Sequence, residues 1–308
     1  MLLLGLGFVQ GAAGQAALRV TGAPTPLYGD TDEAFMHPMW APDGTRLAFT
    51  GSNYEGLWTL RADGRQATKL TDEPAAGFGF SWSADGSALL TRVARYEGRR
   101  RLNAVKVFDT ETAEARLVTD FRSLMPALPQ WAPDDATVVL YSRGRLETFD
   151  TGRPPVAGKA ADTPVTFVKD DRIGTLRLDT GALTEIEPLP GRRVLNLTAS
   201  PDGEKVAFEI MGGNLYVMDR GGANLTDLGP GHRPQWSPNS QWIVYQRTED
   251  DGHRFTAADL FATRADGGAR VQLTDTPDAL EMNPAWSPDG TRIAYDDQGR
   301  LFVLPVAY

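Results

Sequence analysis

The chain has 308 residues, 41% of them hydrophobic and 23% charged, the balance of a water-soluble globule able to bury a core. A net charge of −9 opposes binding to a phosphate backbone, so nucleic acid is not an expected partner. The absence of cysteine rules out disulfides and thiolate metal sites, and no apolar run is long enough to span a bilayer.

The first stretch, Leu2 to Val9 (LLLGLGFV), is a short apolar run followed by small residues, among which Gly14 and Ala16 suit signal-peptidase cleavage. Residues 1–16 are therefore expected to be an export signal, and the remainder, 17–308, one domain in the periplasm or outside the cell. From Met39 onward one phrase recurs: WAPDGTRLAF, WSADGSALL, WAPDDATVVL, ASPDGEKVAF, WSPNSQWIVY and WSPDGTRIAY. Their register column is Trp40, Trp82, Trp131, Ala199, Trp236 and Trp286, at spacings of 42, 49, 68, 37 and 50 residues. Self-similarity at this period marks an array of repeated units.

Each unit has one grammar. A short strand ends at the tryptophan, and Pro-Asp-Gly makes a turn, Pro fixing φ, Asp bonding back to the backbone and Gly accepting positive φ. A strand apolar at successive positions follows, then a third strand (LWTLR, NLYVMD, RLFVL), a tight turn, and a fourth that often closes in Leu-Thr. Four antiparallel strands per unit, repeated around an axis, describe the blades of a β-propeller. The last unit stops after its third strand, and Arg19–Trp40 reads like Val271–Trp286, so the N-terminal strand is expected to complete the last blade. The expectation is thus an all-β, six-bladed propeller of four-stranded blades, closed by its N-terminal strand. The 68-residue interval is read as a loop insertion at about 143–172 within blade three. A degenerate seventh blade competes, and the lack of a second Pro-Asp-Gly turn there weighs against it.

These repeats resemble the six-bladed propeller of the TolB C-terminal-domain family, over residues 17 to 308. The resemblance implies a monomeric propeller that binds an envelope protein. Some propellers of this kind are lyases holding a metal on channel histidines.

Irregular connections fall on one face: Arg92–Asn103, Arg143–Arg172 and Arg247–Asp259. Loops that vary on a rigid scaffold carry binding. Three residues before each register position stand His37, Gly79, Leu128, Asn196, Arg233 and Asn283, at the entry to the channel, with His232 adjacent. Acidic residues Asp30, Asp32, Glu33, Asp72, Glu73, Asp278 and Glu281 lie in neighbouring loops, and Arg99, Arg100 and Arg101 form a basic loop beside them. The expected site is this mouth: His37, Asn196, His232, Arg233, Asn283 and Glu281 with Arg99 to Arg101, suited to a charged protein segment or small ligand. The tryptophan column is expected to pack between blades.

No nucleophile elbow, His-Glu-x-x-His motif, phosphate loop or dinucleotide fingerprint occurs, so no cofactor, metal or catalytic residue is assigned. The expected function is non-catalytic binding of a protein or envelope component. The alternative is a metal-dependent carbohydrate lyase or hydrolase at the channel mouth, which would draw on His37, His232 and His253, the only histidines.

Overall fold

Segments such as Arg46–Gly51, Lys205–Ile210 and Arg292–Asp297 place buried side chains at successive positions, so both faces need cover. In the computed structural model, which describes residues 17–29, 32–156 and 163–308, each is the second strand of a sheet flanked by two others. The expected leader, 1–16, and Asp30 lie outside the described residues.

Seven antiparallel sheets are found among the described residues. Blade one is Phe35–Trp40, Arg46–Gly51, Leu57–Arg61 and Thr68–Thr71, from channel to rim. Blade two is Ser81–Trp82, Ala88–Glu97, Arg100–Asp109 and Ala115–Leu117. Blades five and six run the same way from Val194–Ala199 and His232–Trp236. Blade seven contributes Met282–Trp286, Arg292–Asp297 and Arg300–Ala307. Its outer strand comes from the other end of the chain: Arg19 pairs with Ala307, Val20 with Val306, Thr25 with Val303 and Tyr28 with Leu301. Leu18 is buried in the same core as Trp286, Ile293 and Leu304, so the closure is apolar as well as hydrogen-bonded.

The expected count of six blades is wrong, and the error sits in 143–172. That stretch is not a loop within blade three. It holds Arg145–Asp150, the third strand of blade three, and Val165–Lys169, which begins the described part of a separate blade four that continues with Arg172–Leu176 and Leu183–Ile186. Among the described residues both blades have three strands, against the expected four. In the other blades the second-to-third connection lies on the loop face. In blade four that position is taken by the two-residue turn Asp170–Asp171, both at positive φ, which joins Val165–Lys169 to Arg172–Leu176. The following turn closes through Arg177 N–H to Ala182 O, as Asp219 to Ala223 closes the third-to-fourth turn of blade five. Val165–Lys169 is therefore a second strand, and no inner strand of blade four is found among the described residues. The third strand of blade three ends where Thr151 N–H meets Ala136 O, and no outer strand follows it among the described residues. Among the described residues one inner strand, one outer strand and the loop between them are not found. The Pro-Asp-Gly turn is missing with them, because it joins an inner strand to a second one.

The turns follow the expected chemistry. In blade one Asp43 accepts the N–H of Thr45 at 2.9 Å and Gly44 sits at φ +70°. The tryptophans stitch neighbours together. Trp82 Nε1 donates to Met39 O at 3.1 Å, Trp131 to Ser81 O at 3.2 Å and Trp236 to Thr198 O at 3.2 Å.

Candidate functional site: the loop-face cavity

Four of the inner strands carry a β-bulge three residues before the register position. The register slips between Met36 and Met39, Leu195 and Thr198, His232 and Gln235, and Met282 and Ala285. Within each bulge one residue takes the left-handed conformation: His37 at φ 59°, Asn196 at 48°, Arg233 at 55° and Asn283 at 52°. These four residues line one cavity of about 850 Å³ that opens on the loop face.

The bulges are held by polar residues of the second strands. Asp296 Oδ1 accepts the His37 backbone N–H at 2.7 Å, from the next blade, and the Asn283 side-chain amide at 2.8 Å, from its own. Glu209 repeats the pattern, accepting the Asn196 amide at 2.7 Å and, at 3.4 Å, the Arg233 backbone N–H. Between them Gln246 Oε1 takes the Asn283 backbone N–H at 2.6 Å. Each clasp ties adjacent blades at the channel wall.

Burial sets the charges. It pushes the Asp296 carboxyl up to about 7, against hydrogen bonds from His37 and Asn283 and the positive charge of Arg233. Burial, helped by Arg233, pulls the His37 imidazole down to about 3, so the ring is neutral at physiological pH. For Glu209 burial acts upward, but bonds from His232 and Asn196 outweigh it and hold the carboxyl below its ordinary value. His232 gains from that same bond, Nδ1 to Oε1 at 2.8 Å, which raises its pKa.

The opposite wall is apolar. Phe78, Phe80, Leu128, Val139, Tyr141 and Phe167 line it, from the connection into blade two round to blade four. Arg233 reaches across the mouth to the Tyr54 hydroxyl at 2.8 Å, and Tyr54 stands edge-on to Phe78 with centroids 5.1 Å apart. Three polar atoms of the cavity-lining residues, His37 Nδ1, Thr166 Oγ1 and Asn283 Oδ1, are buried without a partner.

The structure brings His37, Asn196, Arg233 and Asn283 together, with His232 behind them on Glu209. It does not bring the rest. Glu281 is 2% exposed and anchored by its N–H to Ala258 O beneath the long hairpin of blade six, where burial raises its pKa. Arg99 to Arg101 stand at the tip of the long hairpin of blade two, with Arg100 on Ser123 Oγ and Arg101 on Asn103 Oδ1. His253 lies at the end of blade six's hairpin, on a separate surface groove. Among the described residues no three His, Asp or Glu side chains are arranged to hold a metal ion. No helix among them is long and apolar enough to cross a membrane. The sequence reading missed Asp296, Glu209 and Gln246, whose signal is a polar residue at one fixed place in strands otherwise apolar: YDD, FEI and YQR. It also missed the aromatic wall, part of which lies in 143–172.

No family model matches the chain. An uncharacterized protein of Agrobacterium fabrum is 24% identical over 217 residues, 68% of this chain and 63% of that protein. An uncharacterized peptidase, YuxL of Bacillus subtilis, is 42% identical over 82 residues, 25% of this chain and 12% of its own length. The Tol-Pal system protein TolB of Anaeromyxobacter dehalogenans is 46% identical over 46 residues, 14% of this chain and 11% of its own. The chain thus spans less than two thirds of each of these relatives. Among solved structures, a TolB candidate from Agrobacterium tumefaciens superposes with a TM-score of 0.57 at 18% identity, covering 90% of this chain and 92% of that one. The oligogalacturonate lyase of Vibrio parahaemolyticus gives 0.56 at 16% identity, covering 92% and 93%. At these identities the likeness is one of fold: a TolB-like β-propeller.

Proposed function

We propose that this chain is an exported, envelope-located propeller that binds a protein or envelope component in its loop-face cavity and does no chemistry there. The observation that carries this is a preformed cavity of about 850 Å³ lined by His37, Asn196, Arg233 and Asn283, with the guanidinium of Arg233 reaching across its mouth. The volume is that of a ligand site, largely preformed and mostly apolar. Local identity to TolB supports an envelope location and a protein partner.

The test is retention from envelope extracts by the immobilised full chain, beside Arg233→Glu. A protein held by the wild type and lost with Arg233→Glu supports the proposal, whereas retention indifferent to that change removes the cavity from consideration. Incubation with oligogalacturonate and Mn²⁺, followed at the absorbance of unsaturated products, covers the catalytic alternative. Turnover abolished by His37→Asn would overturn binding without chemistry.

A further inference from the structure

Blade four meets the channel with its second strand. Among the described residues no strand pairs with the inner edge of Val165–Lys169, and Thr166, Phe167 and Val168 line the cavity. The hairpin register says which groups that edge offers. Lys169 pairs with Arg172 across a two-residue turn, so Lys169, Phe167 and Val165 exchange their backbone bonds with the third strand. The N–H and C=O of Thr166 and Val168 then point the other way, into the channel. Among the described residues no backbone hydrogen bond from another element reaches Thr166 or Val168. Thr166 Oγ1 is also buried without a partner.

The space continues through the ring. Gln130, Thr166, Leu197 and Thr198 line both the loop-face cavity and a second one of about 370 Å³ on the Pro-Asp-Gly face. Phe167 forms part of the wall because its ring lies on Gly174, where a Cβ would come within 2.8 Å of it. At the loop-face end of the edge, Asp170 and Asp171 put two carboxylates at the mouth. Tyr141 O–H donates to Asp170 at 2.6 Å and Arg193 pairs with Asp171 at 3.4 Å.

We propose that the missing inner strand of blade four is supplied by a ligand: an extended peptide segment of a partner protein that pairs with the channel edge of Val165–Lys169. This rests on the binding function above and names its partner class. The backbone groups of Thr166 and Val168 recognise the peptide backbone, as in strand addition to a sheet edge. The segment runs from the loop face to the Pro-Asp-Gly face, antiparallel to Val165–Lys169, as the other inner strands run. It is apolar at alternate positions, where it meets Val139, Tyr141 and Leu197. Its leading end is basic, beside Asp170 and Asp171.

The probe is a heptapeptide library with Lys first and Val, Leu, Thr or Asn after it, selected on the full chain. Selected peptides are expected to slow amide exchange at Thr166 and Val168 at least tenfold, and to lose at least tenfold in affinity on N-methylation of alternate backbone nitrogens. Thr166→Pro, which deletes one edge donor, is expected to weaken them similarly. Peptides that bind but protect the bulges at Arg233 and Asn283, and tolerate both N-methylation and Thr166→Pro, overturn strand addition and leave the binding function standing. No retained peptide, with an envelope protein still captured through Arg233, likewise overturns it. Failure of both experiments removes the binding function as well.

Discussion

Blade seven and the junction of blades three and four are the two places where the repeated unit is incomplete, and the chain treats them differently. In blade seven the missing outer strand is restored by Arg19–Val20 and Thr25–Tyr28, which turn Arg300–Ala307 from an edge into an interior strand. In blades three and four an outer and an inner strand are absent and nothing among the described residues replaces them. The first gap lies where ring closure is decided, and an open edge there would leave the ring unclosed and prone to pair with other chains. The second lies within a continuous chain, where flanking blades hold the geometry without a full complement. The gap on which ring closure depends is filled, and the one within the continuous chain is left open among the described residues.

The largest expected effect comes from emptying the filled gap. Deleting residues 17–28 should abolish the cooperative thermal transition and drive the chain into higher-order species on size exclusion. Leu18→Ala is the milder version, with a fully buried side chain lost from the core it shares with Trp286 and Leu304, and should cost about 2–5 kcal/mol by denaturant titration. If the deletion melts like wild type, the closure is ornamental and the contrast between the two gaps disappears.

Next come the tryptophans, which compare a complete blade with an incomplete one. Trp82 is 8% exposed and packs in the core between blades one and two, so Trp82→Ala should cost about 3–5 kcal/mol. Trp131 makes the same kind of indole bond but is only half-buried, at the start of the three-stranded blade three. Trp131→Ala should cost about 1–3 kcal/mol. Equal losses would mean that the missing strands do not loosen that side of the ring.

What could be read from the sequence divides along the same line. Every unit that keeps its inner strand keeps the register position and its turn, and all six were visible, as was the N-terminal closure. Blade four was invisible because both markers reside on the strand it lacks, and its remaining hairpin, TFVKDDRIGTLRL, resembles any surface hairpin. The site followed suit. His37, Asn196, Arg233 and Asn283 were legible because a bulge at a constant offset aims them alike, whereas Glu281 and Arg99 to Arg101 were assigned by loop membership, which says nothing about direction. Asp296 and Glu209 escaped because a carboxylate in a second strand reads as a solvated strand end until the neighbouring blade is seen to cover it.

The clasps on the intact side give a pH prediction in which two opposite contributions hide each other. Folding raises Asp296 from about 3.9 to about 7, which favours the folded state at low pH and is lost as pH rises from about 4 to about 7. Folding lowers His37 from 6.5 to about 3, which favours the folded state above pH 6.5 and is lost as pH falls towards 3. Between pH 4 and 6.5 the folded state holds its proton on Asp296 and the unfolded state on His37, so the counts match and these two groups leave stability flat. Asp296→Asn keeps an acceptor and should unmask His37, stability rising with pH relative to wild type by up to about 4 kcal/mol. His37→Asn keeps a residue tolerant of positive φ and should unmask Asp296, stability falling by a similar amount. Urea titrations at half-unit pH steps measure both slopes. Parallel profiles in the two variants would show that the channel wall is wet enough to leave both groups at their ordinary values.

The smallest expected effect is at the open gap. Proline removes a backbone N–H, and within a paired strand that breaks a ladder bond, but the N–H of Thr166 points away from the third strand into the channel. Thr166→Pro should therefore change stability by less than about 1 kcal/mol. Phe167→Pro, one residue along, deletes an N–H engaged in the sheet and should cost about 3 kcal/mol or more, counting the lost ring as well. The pair reads the direction of the edge without any ligand. If Thr166→Pro proves as damaging as Phe167→Pro, the edge of blade four is already occupied by bonds within the chain, and there is no vacant strand position for a partner to take.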